Sequence, residues 1–218
     1  MRNDIIEEMS YYPVFLDIRN KRCVAVGGGV IAQRKINMLL DHEAQVTVIS
    51  PQLCSELEKM AESTITVIRR EYQAGDLEGA FVVVAATDNQ AINEQVATDA
   101  SEKGVLINVV DVPALSNFIV PSYLRRGDLT IAVSTNGKSP ALARKIRTKL
   151  EDAFEQEYAD LIAVVEEVRA ELKAKGVTTS AEAWQKALDI DDLLDLIRAG
   201  QISQAKAKLT QALEEAKL

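Results

Sequence analysis

"CVAVGGGVIAQRKINMLL", residues 23–40, runs from a short apolar segment through three glycines into an amphipathic stretch. Read as strand, tight turn and helix, it decides the fold, because Gly27-x-Gly29-x-x-Ala32 has the spacing of a dinucleotide-binding turn that opens a helix. Glycines at such a turn (Gly27, Gly28 and Gly29 here) let the backbone approach a pyrophosphate, whose charge the helix N-terminus stabilises. The backbone N–H groups of Val30 and Ile31 are the expected donors. Any tight strand-to-helix connection can also use glycine, so the turn alone leaves both readings open. An acidic residue usually follows about 20 residues later to hold the adenosine ribose. At that place stands Ser50, closing "AQVTVIS". Pattern alone therefore leaves NAD against NADP open.

Outward from this turn the chain alternates. Apolar, β-branched runs at 13–18, 22–27, 45–50, 65–71, 81–87 and 105–111 read as strands, and 32–42, 52–61 and 90–104 as helices between them. Such alternation predicts a parallel sheet covered on both faces. Ligands then bind at the carboxyl ends of the strands, where the strand order reverses. The glycine turn, "AATDN" (85–89) and "NVVD" (108–111) all fall at that edge. Asp111 is ionised at neutral pH and suits a base or a hard metal ligand, while a loop-fixing hydrogen bond is the ordinary role of an aspartate there.

Beyond Asp111 the pattern predicts a loop, a short helix, one strand at 129–134, and a helix begun by Ser139-Pro140, a cap followed by a first-turn proline. Leu142, Ile146, Leu150 and Phe154 recur every four residues along it, and it reads onward to Gly176. The tail, 180–218, reads as two or three short amphipathic helices broken near Gly200, a helical packing domain.

The 218 residues carry a net charge of −8, and no apolar run is long enough to span a bilayer. The N-terminus has acids where a secretion signal needs bases, so a cytoplasmic protein with no membrane partner is expected. Two cysteines, Cys23 and Cys54, form neither C-x-x-C nor a zinc spacing, and His42 is the single histidine, which argues against histidine-based metal or catalytic chemistry. The acidic total argues against nucleic-acid binding. Residues 121–149, however, hold seven bases (Arg125, Arg126, Lys138, Arg144, Lys145, Arg147, Lys149) against Asp128 alone. Such an island is either a solvated face paired with neighbouring acids or a site for a polyanionic small molecule.

Taken in order, "YYPVFLDIRNKRCVAVGGGVIAQRK", "VVVAATDN", "INVVD", "SNFIVPS" and "LTIAVSTNGKSPALARKIR" resemble the precorrin-2 dehydrogenase family, which includes the N-terminal part of siroheme synthases. The resemblance runs from residue 10 to about 150, and the tail "LLDLIRAGQISQAKAKLTQAL" is similar to that of free-standing members. It implies an α/β fold: a Rossmann-like parallel-sheet domain (1–113), a small α+β dimerisation segment that also binds tetrapyrrole carboxylates (114–150), and a helical C-terminal domain (151–218). It implies a homodimer that oxidises precorrin-2 to sirohydrochlorin with NAD⁺; some members then insert Fe²⁺. The family's key aspartate falls on Asp111, the proton acceptor and, in members that insert iron, an aid to the metal. Cofactor contacts fall on Gly27, Gly28, Gly29, Val30 and Ile31, on Ser50, Pro51 and Gln52, and on Thr87 and Asp88. The substrate, with eight carboxylates, is expected to meet Asn117, Ser122, Thr135, Lys138, Ser139 and Arg144. Many members carry Ser-Gly-Gly where this chain has Thr135-Asn136-Gly137. A chelatase with a decayed nucleotide site, and a non-enzymatic NAD-sensing module, are the competing readings. The intact glycine turn counts against the first, Asp111 and the basic segment against the second.

Overall fold

A computed structural model describes residues 11–216; the acidic start of the chain, 1–10, lies outside the described residues. The chain divides between Val120 and Pro121 into two compact units.

The first unit is built on five parallel strands, β1 (Arg22–Val26), β2 (Gln45–Ile49), β3 (Thr66–Ile68), β4 (Val82–Ala85) and β5 (Leu106–Val109), in the order β3-β2-β1-β4-β5. Helices α1 (Val30–Leu40), α2 (Ser55–Met60) and α3 (Gln90–Glu102) connect them. Alternation along β1 sends Cys23 and Ala25 to one face and Val24 and Val26 to the other. The first pair packs with Ala32 and Ile36 of α1 and Leu57 of α2, the second with Val96, Ala97 and Ala100 of α3. Each face of the sheet therefore has its own apolar layer, as a buried parallel sheet requires. The chain leaves β1 toward β2 and later returns to β4 on the other side, so the order reverses between β1 and β4.

Residues 13–18 do not form the expected strand. A strand persists only as a member of a ladder, and this segment pairs with none of the five; Val14 and Phe15 are exposed. The other strands of this unit run within the bounds read for them and are shorter by one to four residues.

The second unit begins with an antiparallel hairpin, β6 (Ser122–Arg126) and β7 (Leu129–Val133). The strand β6 is absent from the sequence reading. Its signal was the two-residue connection Gly127-Asp128, with Gly127 at φ +55°, the residue pair that closes a tight hairpin. Helix α4 (Pro140–Ala153) packs on this hairpin. It does not run on to Gly176 as expected: Phe154 leaves helical geometry at φ −120°, ψ 82°, and α5 (Glu157–Ala174) starts afresh. Nor does α4 bury its leucine-isoleucine stripe. Ala143 is its buried contact, while Leu142 and Ile146 stay 51% and 37% exposed. Helices α6 (Ala181–Ala187), α7 (Ile190–Arg198) and α8 (Ile202–Glu215) complete the unit, with the break at Gly200 where expected. Leu161, Val164, Val168 and Leu172 of α5 form one core with Leu193, Ile197, Leu209 and Leu213.

Candidate dinucleotide site and carboxylate-binding segment

The three glycines of the β1–α1 turn have three different reasons to be there. Gly27 sits at φ +120°, and a Cβ on it would lie 2.4 Å from the Ala86 carbonyl oxygen at the end of β4. A Cβ on Gly28 would lie 2.0 Å from the Gln52 carbonyl oxygen and 2.7 Å from Ser50 Oγ, beyond β2. Those two glycines let the turn press into the sheet edge. Gly29 meets nothing within 4 Å and has an extended φ of −82°. The protein itself gives no reason for glycine there.

Gly29 is also the N-cap of α1, and no side chain caps that helix or places an acid in its first turn. The N–H groups at the start of the helix thus face the open space that a Cβ of residue 29 would occupy. Val30 and Ile31, in the same turn, are 64% and 51% exposed, unusual for aliphatic side chains in a first turn beside a sheet edge. An uncapped helix start, an open cradle and exposed aliphatic groups suit a pyrophosphate with its flanking ribose and base. The residues present fit a bound dinucleotide.

Around the turn, the Cys54 N–H donates to the Gly28 carbonyl (2.8 Å), fixing its outer side. The Ser50 hydroxyl donates to the Gln52 carbonyl (2.6 Å) and is 7% exposed, so it shapes the loop after β2 from beneath. Pro51 and Gln52 are the exposed residues there. Beyond β4, Thr87 is gripped by Asn93: its hydroxyl donates to Asn93 Oδ1 (2.8 Å), and Asn93 Nδ2 donates to the Thr87 carbonyl (3.0 Å). Asn89 caps α3 by accepting from the Ala91 and Ile92 N–H groups. Asp88 projects between them, exposed. The structure thus brings Gly27–Ile31, Ser50–Gln52 and Thr87 together at the carboxyl ends of β1, β2 and β4.

Asp111 follows β5 at the same edge, exposed, in the left-handed region at φ +59°. For a residue other than glycine that conformation is uncommon, and aspartate is among the few that tolerate it. Two nearby residues escaped the sequence reading. Lys35 occupies the inner stripe of α1 with Ala32, Ile36 and Leu39; burial lowers its ammonium pKa, Arg34 adds to the shift, and the charge of Asp111 opposes it. Asn93 likewise replaces an apolar residue on the stripe that continues as Val96, Ala97 and Ala100. A polar residue on an otherwise apolar stripe was the available signal in both cases. His42, the single histidine, is tied to the Met38 carbonyl at the end of α1. Burial pushes the Cys23 thiol up to about 11, as suits an inert core residue.

Asn117 has a backbone task. Its side chain accepts from the Ile107 N–H (2.8 Å) and donates to the Val105 carbonyl (3.0 Å), while its own N–H donates to the Ile107 carbonyl. It therefore closes the outer edge of β5 as a neighbouring strand would.

In the second unit, Ser122 opens β6 opposite Val133. Thr135 Oγ1 accepts from the Ser139 N–H (3.0 Å), and Ser139 Oγ caps α4 by accepting from the Leu142 N–H (3.2 Å). Each hydroxyl keeps its own hydrogen to donate. Asn136 and Gly137 both take left-handed geometry (φ +52° and +78°), so asparagine replaces the family's usual glycine at a position it tolerates. Several of the bases in the island have intramolecular work. Arg126 donates to the Phe154 carbonyl (2.9 Å), Arg125 to the Gly127 carbonyl (2.9 Å), and Arg147 pairs with Glu151. Arg144, Lys145 and Lys149 are exposed along α4, and Lys138 is exposed in the loop before it.

Comparison with known proteins identifies the family of the first unit. Residues 14–122 match the family described as putative NAD(P)-binding, and residues 126–153 match the sirohaem biosynthesis protein central family. Siroheme synthases of Ruthia magnifica and Nitrosococcus oceani are each 37% identical over 209 residues, 94% of this chain and 44% of each relative. Siroheme synthase 1 of Aeromonas salmonicida is 38% identical over 200 residues, 90% of this chain and 43% of that protein. The chain thus spans less than half the length of these relatives. A solved structure described as "SirC, precorrin-2 dehydrogenase" superposes with a TM-score of 0.69 at 26% identity, covering 94% of this chain and all of that one. With residues 14–122 matched, the chain belongs to the putative NAD(P)-binding family, and along nearly its whole length it is similar to siroheme synthases and to a precorrin-2 dehydrogenase.

Proposed function

We propose that this chain binds NAD⁺ at the β1–α1 turn and oxidises precorrin-2 to sirohydrochlorin, releasing NADH and a proton. The observation that carries the proposal is Gly29, a glycine with no intramolecular need, at the uncapped start of a helix whose first apolar side chains are exposed. The likeness to a precorrin-2 dehydrogenase over that protein's whole length supports the substrate.

The reaction removes two hydrogens, one as hydride and one as proton; NAD⁺, when bound, accepts the hydride. Asp111, an exposed carboxylate at the ligand edge of the sheet, is the acceptor for the proton. The tetrapyrrole's carboxylates are met by the Lys138 ammonium, by the Thr135 and Ser139 hydroxyl hydrogens, and by Arg144 on α4, with Ser122 at the start of β6, opposite Val133 across the hairpin. This positive segment offsets the repulsion that an acidic protein would otherwise exert on an octa-anion. Asn117 contributes indirectly, by fixing β5 ahead of Asp111. The apolar side chains that α4 leaves uncovered, Leu142 and Ile146, support a homodimer joined through 114–150.

Incubation of the purified protein with precorrin-2 and NAD⁺ tests the reading. NADH and the sirohydrochlorin absorbance are expected to rise together, and Asp111→Asn, which tolerates the same backbone conformation, is expected to lower turnover by about 100-fold or more. Absence of NADH with the unaltered protein refutes the proposal. An anaerobic assay of sirohydrochlorin with Fe²⁺, corrected for spontaneous insertion, addresses the second activity known in some family members.

A further inference from the structure

The charges at the ribose end of the dinucleotide site are arranged in a way that the glycine turn does not require. Position 50, where an acid usually holds the ribose, carries a serine turned under the loop and bonded to the Gln52 carbonyl. The Ser50 N–H donates to the Ile68 carbonyl (3.1 Å), so the residues that follow β3, Arg69 and Arg70, emerge beside Ser50 and Pro51. Arginine in this neighbourhood is the residue that receives the 2′-phosphate of NADP. Both arginines are already engaged. Arg70 forks onto Asp76 with two contacts of 2.7 Å. Asp76, its side chain only 9% exposed, also accepts from the Gln73 N–H (2.8 Å), so that pair belongs to the fold of its loop. Arg69 forks onto Glu58 of α2 at 2.8 and 2.5 Å, and both side chains are about half exposed.

We infer that Glu58 sets the choice between the two nicotinamide dinucleotides. By holding Arg69 in a two-bond fork, it withholds the guanidinium that a 2′-phosphate would need, and it places a carboxylate where that phosphate would bring like charge. An uncharged ribose 2′-hydroxyl meets neither obstacle. Glu58 so performs from α2 the discrimination that an acid at position 50 performs in other members of the fold class. The inference rests on the reading of the β1–α1 turn as a dinucleotide site, and it concerns affinity rather than the chemistry of turnover.

The test is direct binding of NADH and NADPH, followed by nucleotide fluorescence at low salt, to the full chain and to Glu58→Gln. The unaltered protein is expected to prefer NADH. In Glu58→Gln the ratio of the two dissociation constants is expected to move toward NADPH by about fivefold, the scale an exposed charge pair sustains. Adding Arg69→Gln to that variant is expected to cancel the gain, which loss of folding or a general loosening of α2 would not do. An unchanged ratio, with NADH still bound, overturns this inference alone. Failure of the unaltered protein to bind either nucleotide overturns the dinucleotide site and this inference with it.

Discussion

Gly29→Ser separates folding from binding at the turn. The residue lies at φ −82°, ψ −179°, the extended geometry of an N-cap, and a side chain there meets nothing within 4 Å. Serine at an N-cap is better than glycine by a few tenths of a kcal/mol, because its hydroxyl accepts from the second or third N–H of the helix. Replacing a glycine in a conformation open to other residues adds about 0.4–1 kcal/mol through the unfolded chain. Together these give a gain of about 1 kcal/mol, or roughly 2–4 °C in Tm for a chain of this size. The same hydroxyl fills the cradle and takes a donor from Ile31 or Ala32 that a pyrophosphate would use. Loss of one hydrogen bond to a charged group, about 2 kcal/mol, predicts roughly 30-fold weaker NADH binding. Thermal unfolding without nucleotide and a fluorescence titration with NADH read the two effects separately. Gly28→Ala is the contrasting variant: its Cβ overlaps the Gln52 carbonyl, so about 2–3 kcal/mol of stability is lost. A Gly29→Ser protein that binds NADH within twofold of the original refutes the assignment of this turn, and one that melts lower refutes the account of the cap.

Asn117→Ala leaves the Ile107 N–H and the Val105 carbonyl without their side-chain partner at the edge of β5, and is expected to cost about 2 kcal/mol in urea denaturation. Rescue of turnover on cooling would separate that structural loss from loss of a substrate contact. Lys138→Glu is expected to raise the KM for precorrin-2 more than that for NAD⁺ in steady-state assays, and equal changes would remove the loop from substrate binding. The Arg70 guanidinium beside Asp76 lowers the pKa of that carboxyl below its ordinary value. A folded pKa below the unfolded one means the stabilisation is fully present above the unfolded value and disappears as pH falls through the folded one. Asp76→Asn should therefore lose stability at neutral pH yet show a shallower decline below about pH 4, as read from urea midpoints across that range.

The sheet was legible because its central strands, β1 and β4, are buried on both faces and consist mainly of valine and alanine. The glycine turn was legible because its spacing carries a steric meaning, one glycine at a time. Residues 13–18 have the composition of a strand, but composition does not supply a neighbour. The opposite error fell on β6: "SYLRR" is too polar to read as a strand, and only the Gly127-Asp128 pair after it marks the hairpin. On α4 the four-residue spacing of Leu142 and Ile146 suggested an inward face, whereas the helix approaches the hairpin through the small Ala143. The site was legible in its loops and not in its supports. Asn93, Lys35 and Asn117 act through contacts that depend on which strand lies beside which, and no local pattern encodes that.

The arginine that ends β6 has a consequence for how the chain comes apart. Arg126 reaches the carbonyls of Phe154 (2.9 Å), the C-cap of α4, and of Glu151 (3.5 Å) in its last turn, where the helix has no N–H groups of its own to offer. A two-stranded hairpin is marginal alone, and a helix with an open end frays from that end. Joined through that guanidinium and through the packing at Ala143, they should protect their amides from hydrogen exchange as a single cooperative block, opening and closing together. A gene truncated after codon 150 would remove both acceptors and leave the hairpin without its clasp, so a workable cut lies beyond Phe154.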